Sequence, residues 1–320
     1  MNDEFYSNVQ SFYGLTNLFG FTELEISMAA GDDVYIDGWL GAALRNNLLF
    51  AADNVNVVGA ISLRQAIDLL TIRQDHPLYN EMKGGFPKGF GLSLSTHQDS
   101  TFSCQLKKGE IIRFSIQLYG HFSNYLIPFS QAVQGMCTRG IGKPQTPFYL
   151  ISITENPIVC LSDFTNNIGK ADKQTITIQY TVPTNLYNDY KNKNNYHDRQ
   201  HEFPGFYQLV RTLAYRIAKL TALYTHPDTT TFYPEIESTI ATFTQPAVTP
   251  ILTSAQLRRI ELNSTAKKGL IDRIQFSGYT GELTFTGHFT NHLPLLLFMQ
   301  NIGAGSNTTY GLGRYKIIKQ

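Results

Sequence analysis

At 320 residues with 42% hydrophobic content, the chain is long enough for two ordinary domains or one large one and too apolar to be disordered. Charged residues are sparse, tyrosine and phenylalanine are plentiful, and the formal net charge is only +1, which excludes a molecule that is basic over its whole surface; any nucleic-acid site has to be a local patch. The three cysteines, Cys104, Cys137 and Cys160, form no CxxC pair, so no zinc site, disulfide framework or cofactor is indicated.

The N-terminus is acidic and polar, without the basic start and apolar run of a secretory signal, and no apolar stretch reaches the length of a bilayer; the expected location is the cytoplasm, with no membrane partner. From Leu24 the chain reads as a strand, then a turn at Gly31-Asp32-Asp33. Val34 to Leu48 follows, with Leu40, Leu44 and Leu48 at helical spacing. The stretch from His76 to Phe90, rich in Gly, Pro and Lys, predicts an exposed loop. Lys107-Lys108-Gly109 resembles a hairpin turn leading into a strand over Ile111 to Tyr119, and Phe122 to Val133 suits a helix broken near Gly135.

Phe148 to Ile153 and Thr175 to Val182 predict two more strands, the second alternating Thr and Ile as a strand with one wet face does. A polar run, Asn185 to His201, ends at Pro204. A long helix follows, with Phe206, Leu209, Val210, Leu213, Ile217, Leu220 and Tyr224 on one stripe. Then come a Thr/Pro-rich link, strands near Ile260 and over Tyr279 to Phe285, a helix around Leu293 to Phe298, and a final strand. Strands cluster around helices without strict alternation, which predicts an α+β protein of two tandem ferredoxin-like halves, residues 1–160 and 161–320.

Gly278 to Tyr315 reads GYTGELTFTGHFTNHLPLLLFMQNIGAGSNTTYGLGRY. It resembles the C-terminal signature of the CRISPR-associated repeat-RNA (pre-crRNA) processing endoribonucleases of the RAMP superfamily. In that family a G-x-x-G-x-x-x-x-x-G strand, matched by Gly278, Gly281 and Gly287, precedes a helix. A glycine-rich loop and an aromatic-Gly-Leu-Gly strand follow, matched by Gly303, Gly305, Tyr310, Gly311, Leu312 and Gly313. Gly38 to Phe50 resembles the family's first helix, with its Leu-Arg pair at Leu44-Arg45; His76-Pro77-Leu78-Tyr79 resembles a motif before its central loop. Leu118-Tyr119-Gly120 with Gly140-Ile141-Gly142 resembles the end of its first half, and Phe206 to Tyr224 its second-half helix. The resemblance implies two RAMP (RRM-like) domains with a glycine-rich C-terminal loop.

It also implies metal-independent cleavage of CRISPR repeat RNA, in which the ribose 2'-hydroxyl attacks the scissile phosphate. That chemistry needs proton carriers and groups that hold phosphate charge. The chain departs from the family where Trp39 to Asn54 holds no histidine and where Ser306 stands in place of a lysine found in some members. A catalytically silent RAMP protein, binding repeat RNA or serving an effector complex, is therefore the alternative expectation.

The candidate catalytic residues are His121, after a strand end, His288, and Tyr310, whose hydroxyl suits a phosphate. The candidate RNA-binding residues are Arg45, Arg211, Lys267, Lys268, Gly303, Gly305, Ser306, Asn307 and Arg314. Glycine lets backbone amides turn toward an anion, and a guanidinium fork fits a phosphate. Arg211, Tyr215 and Lys219, four apart, share one helix face. His288 and His292 have the i,i+4 spacing of a metal pair, but Gly287 and Pro294 predict a strand end and a helix start between them. His197 and His201 fall in the polar run as possible RNA contacts, and His76 precedes a proline. Local basic patches are expected over Leu257 to Arg273 and in the last twenty residues. The expected partners are CRISPR repeat RNA and other Cas proteins.

Overall fold

The computed structural model describes residues 2–69, 86–95, 103–165, 174–185, 205–226, 228–244, 250–268 and 272–319. The expectations at His76, His197 and His201 lie outside these.

In chain order the elements are α1 (Asn2–Thr16), β1 (Gly20–Ala30), β2 (Val34–Asp37), α2 (Leu40–Ala52), β3 (Asn56–Val58), β4 (Ile61–Ser62), α3 (Leu63–Leu69), β5 (Phe90–Leu94), β6 (Ser103–Leu106), β7 (Ile111–Tyr119), α4 (Leu126–Arg139) and β8 (Phe148–Cys160). They continue with α5 (Ser162–Thr165), β9 (Gln174–Thr184), α6 (Phe206–Tyr224), α7 (Thr229–Thr244), β10 (Ile251–Lys268), β11 (Asp272–Gly287), α8 (Leu293–Ile302) and β12 (Tyr315–Lys319).

Two antiparallel four-stranded sheets organise them, ordered β5-β7-β1-β8 and β10-β11-β9-β12. Numbered within each half, both orders are 2-3-1-4, and in each half a helix follows the first strand and another follows the third. This is the ferredoxin-like β-α-β-β-α-β pattern, twice. The core runs on through both halves: α1 packs on the helices of the second, where Phe12 stacks on Phe243 and the Tyr13 hydroxyl donates to the Asn291 carbonyl at 2.8 Å.

Three local expectations change. Val34 to Asp37 is a short strand paired with β6, and the helix begins only at Leu40, after Gly38 turns the chain at φ 80°. The Lys107 to Gly109 turn joins strands of different sheets, since β6 pairs with β2 and β7 with β5 and β1; Asp33 holds it, accepting from Lys107 Nζ and the Lys108 amide.

The Thr/Pro-rich link contains a helix, α7. Asp228 caps it by accepting from the amides of Thr230 and Thr231, and Tyr233, Ile236, Ile240 and Phe243 bury one side of it. That 3-4-3 spacing is the helical signal that outweighs six threonines and Pro234. On α6, by contrast, all seven stripe residues are buried as the spacing predicts.

Candidate nucleic-acid interface

The glycine-rich loop is built by backbone that only small residues can follow. Gly303 ends α8 at φ 93°, with its amide donating to the Met299 carbonyl, and the Ala304 amide donates to the Gly313 carbonyl. At Gly305, φ is 70° and an added Cβ would fall 2.1 Å from the Asn185 carbonyl oxygen. Asn307, also left-handed at φ 65°, starts a 3-10 turn through Thr308 to Tyr310. Gly303 thus spends its amide inside the fold. Among the described residues nothing accepts from the amides of Ser306 and Asn307.

Those residues line a cavity of about 260 Å³. Gly305 to Thr309 form one wall, Thr212, Tyr215, Arg216 and Lys219 of α6 a second, and Phe86, Pro87 and Lys88 a third. The α6 face expected from the i,i+4 spacing is the one that reaches it: Arg211 lies over the Tyr215 ring and donates to the Tyr207 hydroxyl. Arg216 was missed in the sequence; its Nη2 donates to Thr308 Oγ1 at 2.7 Å, tying loop to helix, while its buried Nε has no partner.

Beside the Lys88 wall stands a charge cluster from the first half. Asp68 accepts from Arg64 Nε at 2.6 Å and from Lys88 Nζ at 3.1 Å. Burial works against its carboxylate, but those two bonds outweigh burial and hold its pKa below the ordinary range. Burial likewise lowers the Lys88 pKa, aided by Arg45 and Arg64 and opposed by Asp68.

Arg45 is half-buried on α2, and its guanidinium lies 4.3 Å from the centre of the Tyr310 ring. Burial depresses its pKa, and its Nε is a buried donor without a partner. Unpaired buried donors are costly, so an acceptor placed here would be held strongly. α2 approaches the loop closely because residue 41 is glycine: a Cβ there would sit 2.0 Å from the Tyr310 carbonyl oxygen, which accepts from Trp39 Nε1.

The structure does not bring the expected catalytic set together. His121 follows β7 beyond the Gly89 end of β5, with Nδ1 2.9 Å from the Tyr224 carbonyl; Gly311, next to Tyr310, lies by Leu94 at the other end, about 16 Å along the strand. Burial lowers the His121 pKa, against the effect of that carbonyl contact. His288 is exposed just past the end of β11, whereas Tyr310 packs on Phe276, twelve residues back and so on the order of 35 Å away along that strand. His292 is buried, its Nε2 bonded to the Phe243 carbonyl, and the two histidines share no metal face. Among the described residues no cluster of three His, Cys, Asp or Glu suits a metal ion.

Arg314 is corrected from an RNA contact to an internal tie. It is only 7% exposed; Nε and Nη2 donate to the Leu92 carbonyl at 3.2 and 2.7 Å, and Nη2 also bonds the Gln117 side chain. Burial brings its pKa down to about 10, so it keeps its charge while joining the start of β12 to β5 and β7. Lys267 and Lys268 stand at the tip of the β10–β11 hairpin, paired in register with Arg273 and Asp272, about 10 to 13 Å along β11 beyond the Leu262–Phe276 pair; their side chains lie outside the described residues.

No described helix is long and apolar enough to cross a membrane. No curated protein matches the sequence. Residues 178–315 match the family model of the CRISPR-associated endoribonuclease Cas6. The fold matches a Cas6 in a product complex at 13% identity and TM-score 0.52, over 94% of this chain and 99% of that one. It also matches a chain of a partial Cas6-RT-Cas1–Cas2 complex at 13% identity and TM-score 0.56, over 94% of this chain and 46% of that one. The chain is thus similar in sequence to the Cas6 family over residues 178–315 and has the fold of these Cas6 structures along nearly its whole length.

Proposed function

We propose that the chain binds CRISPR repeat RNA and cleaves it to guide RNAs by metal-independent attack of a ribose 2'-hydroxyl. One observation carries the reading: the cavity bounded by Gly305 to Thr309, by α6 and by Lys88, where amides without an acceptor face lysine and arginine. Amides and cations together suit a phosphate and the charge that grows on it during attack. In this reading Gly305, Ser306 and Asn307 seat the phosphate, Arg45 and the Tyr310 hydroxyl flank it, Arg211 extends the contact along α6, and Lys267 and Lys268 meet RNA farther along the hairpin. Neither His121 nor His288 is among the residues that line that cavity. With RNA and other Cas proteins as its proposed partners, we infer a cytoplasmic site of action.

The second reading is a silent repeat-RNA binder, favoured by the lack of histidine among the described residues that line the cavity. Incubating the protein in EDTA with RNA carrying the repeat of its own locus separates the two. Cleavage that a single 2'-deoxy substitution at the cut site abolishes is the expected result. Tight binding with an intact product lane would establish the silent reading, and neither binding nor cleavage would remove both.

A further inference from the structure

General acid catalysis of this reaction needs a proton at the departing 5'-oxygen, and histidine is its usual source at neutral pH. The described cavity wall offers none, and its Arg216 is a poor substitute, because an arginine does not give up its proton. Lys88 differs from them in three respects. It lies on the wall between the first half's charge cluster and the glycine loop. Its side chain is 21% exposed, and its Nζ is fixed by one Asp68 oxygen while Arg64 takes the other. Its charge is also coupled to that of Arg45, the residue covering Tyr310.

We propose that Lys88 is the general acid of the cleavage step, an inference that rests on the nuclease reading above. The 2'-oxygen bonds to phosphorus as the bond from phosphorus to the 5'-oxygen breaks. The 2'-hydroxyl proton passes to solvent water, and the Lys88 ammonium delivers its proton to the 5'-oxygen, then regains one from water. The products are a 2',3'-cyclic phosphate and a 5'-hydroxyl.

The surroundings suit a lysine that must release a proton. Arg45 faces it from α2, Arg64 and Asp68 from α3, Tyr215, Arg216 and Lys219 from α6. Burial and the neighbouring cations make the ammonium more acidic than a surface lysine's, while Asp68 keeps it protonated enough to be present before attack.

The test uses two repeat RNAs, one natural and one with sulfur replacing the bridging 5'-oxygen at the cut site, because a thiolate leaves without being protonated. In single-turnover assays Lys88→Ala should slow the natural RNA by about 100-fold or more, yet cut the sulfur RNA within a few-fold of wild type. Lys88→Arg, which keeps the charge and the Asp68 partner, should behave the same way and covers the case in which the alanine variant misfolds. Equal losses on both RNAs, or no loss on either, would overturn the assignment while leaving the nuclease intact. A wild-type protein that cuts neither RNA removes the nuclease reading and this one with it.

Discussion

A neutral imidazole is built into the fold at His292. The residue is 2% exposed, between the Phe206 and Phe243 rings, and its Nε2–H donates to the Phe243 carbonyl at 2.8 Å. Burial takes its pKa from 6.5 down to about 4, against the smaller upward pull of that hydrogen bond. The folded chain therefore binds fewer protons than the unfolded one between those values, so the stability it contributes is complete above pH 6.5 and declines as pH falls toward 4. The loss at pH 4.5 is about 2 to 3 kcal/mol. Denaturant unfolding at pH 7 and pH 4.5 should show wild type losing that much more than His292→Gln, whose amide can still donate to Phe243. Equal losses in the two proteins would contradict the assignment. At this scale the sequence was least readable. Histidines 288 and 292 sit four apart yet have opposite surroundings, and Arg314, in a run of cations at the chain's end, lies in a stretch, 311–315, that is buried throughout, with its guanidinium bonded to the Leu92 carbonyl.

Elements were more legible, because periodicity reports which face is buried. The α6 stripe is an example; α7 went unread because threonine's low helix propensity masked its apolar spacing. The tandem reading is matched in the loops as well as the sheets. Gly140 ends α4 at φ 91° and ψ 165°, and Gly303 ends α8 at φ 93° and ψ 162°; each is followed by a fully buried residue, Ile141 or Ala304, and a second positive-φ glycine, Gly142 or Gly305. The two loops then diverge. In the first half Lys143 pairs its backbone with Tyr35, while the second loop continues into the cavity wall. What holds that wall against α2 is the close approach at Gly41. Alanine is the better helix former by about 1 kcal/mol, so Gly41→Ala should leave helix content intact while its Cβ displaces the Tyr310 carbonyl. Repeat-RNA affinity should fall about 10-fold or more, in line with roughly 1.4 kcal/mol or more of lost contact. Unchanged affinity in a titration would mean that α2 does not set the loop's position.

Across the whole molecule, a net charge of +1 conceals a site whose charges come from segments far apart in sequence. Lys88 belongs to the first half and Arg216 and Lys219 to the second, and only the fold brings these three around one cavity, with Arg45, Arg64 and Asp68 acting on Lys88 from the first half. A scan for local runs of lysine and arginine points instead to Leu257 to Arg273 and the C-terminus, because composition along the chain carries no information about contacts between halves. The consequence is measurable as salt dependence. Each RNA phosphate neutralised by the protein releases about 0.7 to 0.9 of a counter-ion. With about three to five phosphates on the cavity and its α6 extension in the proposed RNA complex, the slope of log affinity against log salt is about −2 to −4.5. Binding measured from 50 to 300 mM KCl should fall on such a line, and Arg216→Ala or Arg211→Ala should each flatten it by close to one counter-ion. A slope near zero, or one that neither substitution alters, would place the RNA somewhere other than the groove between the halves.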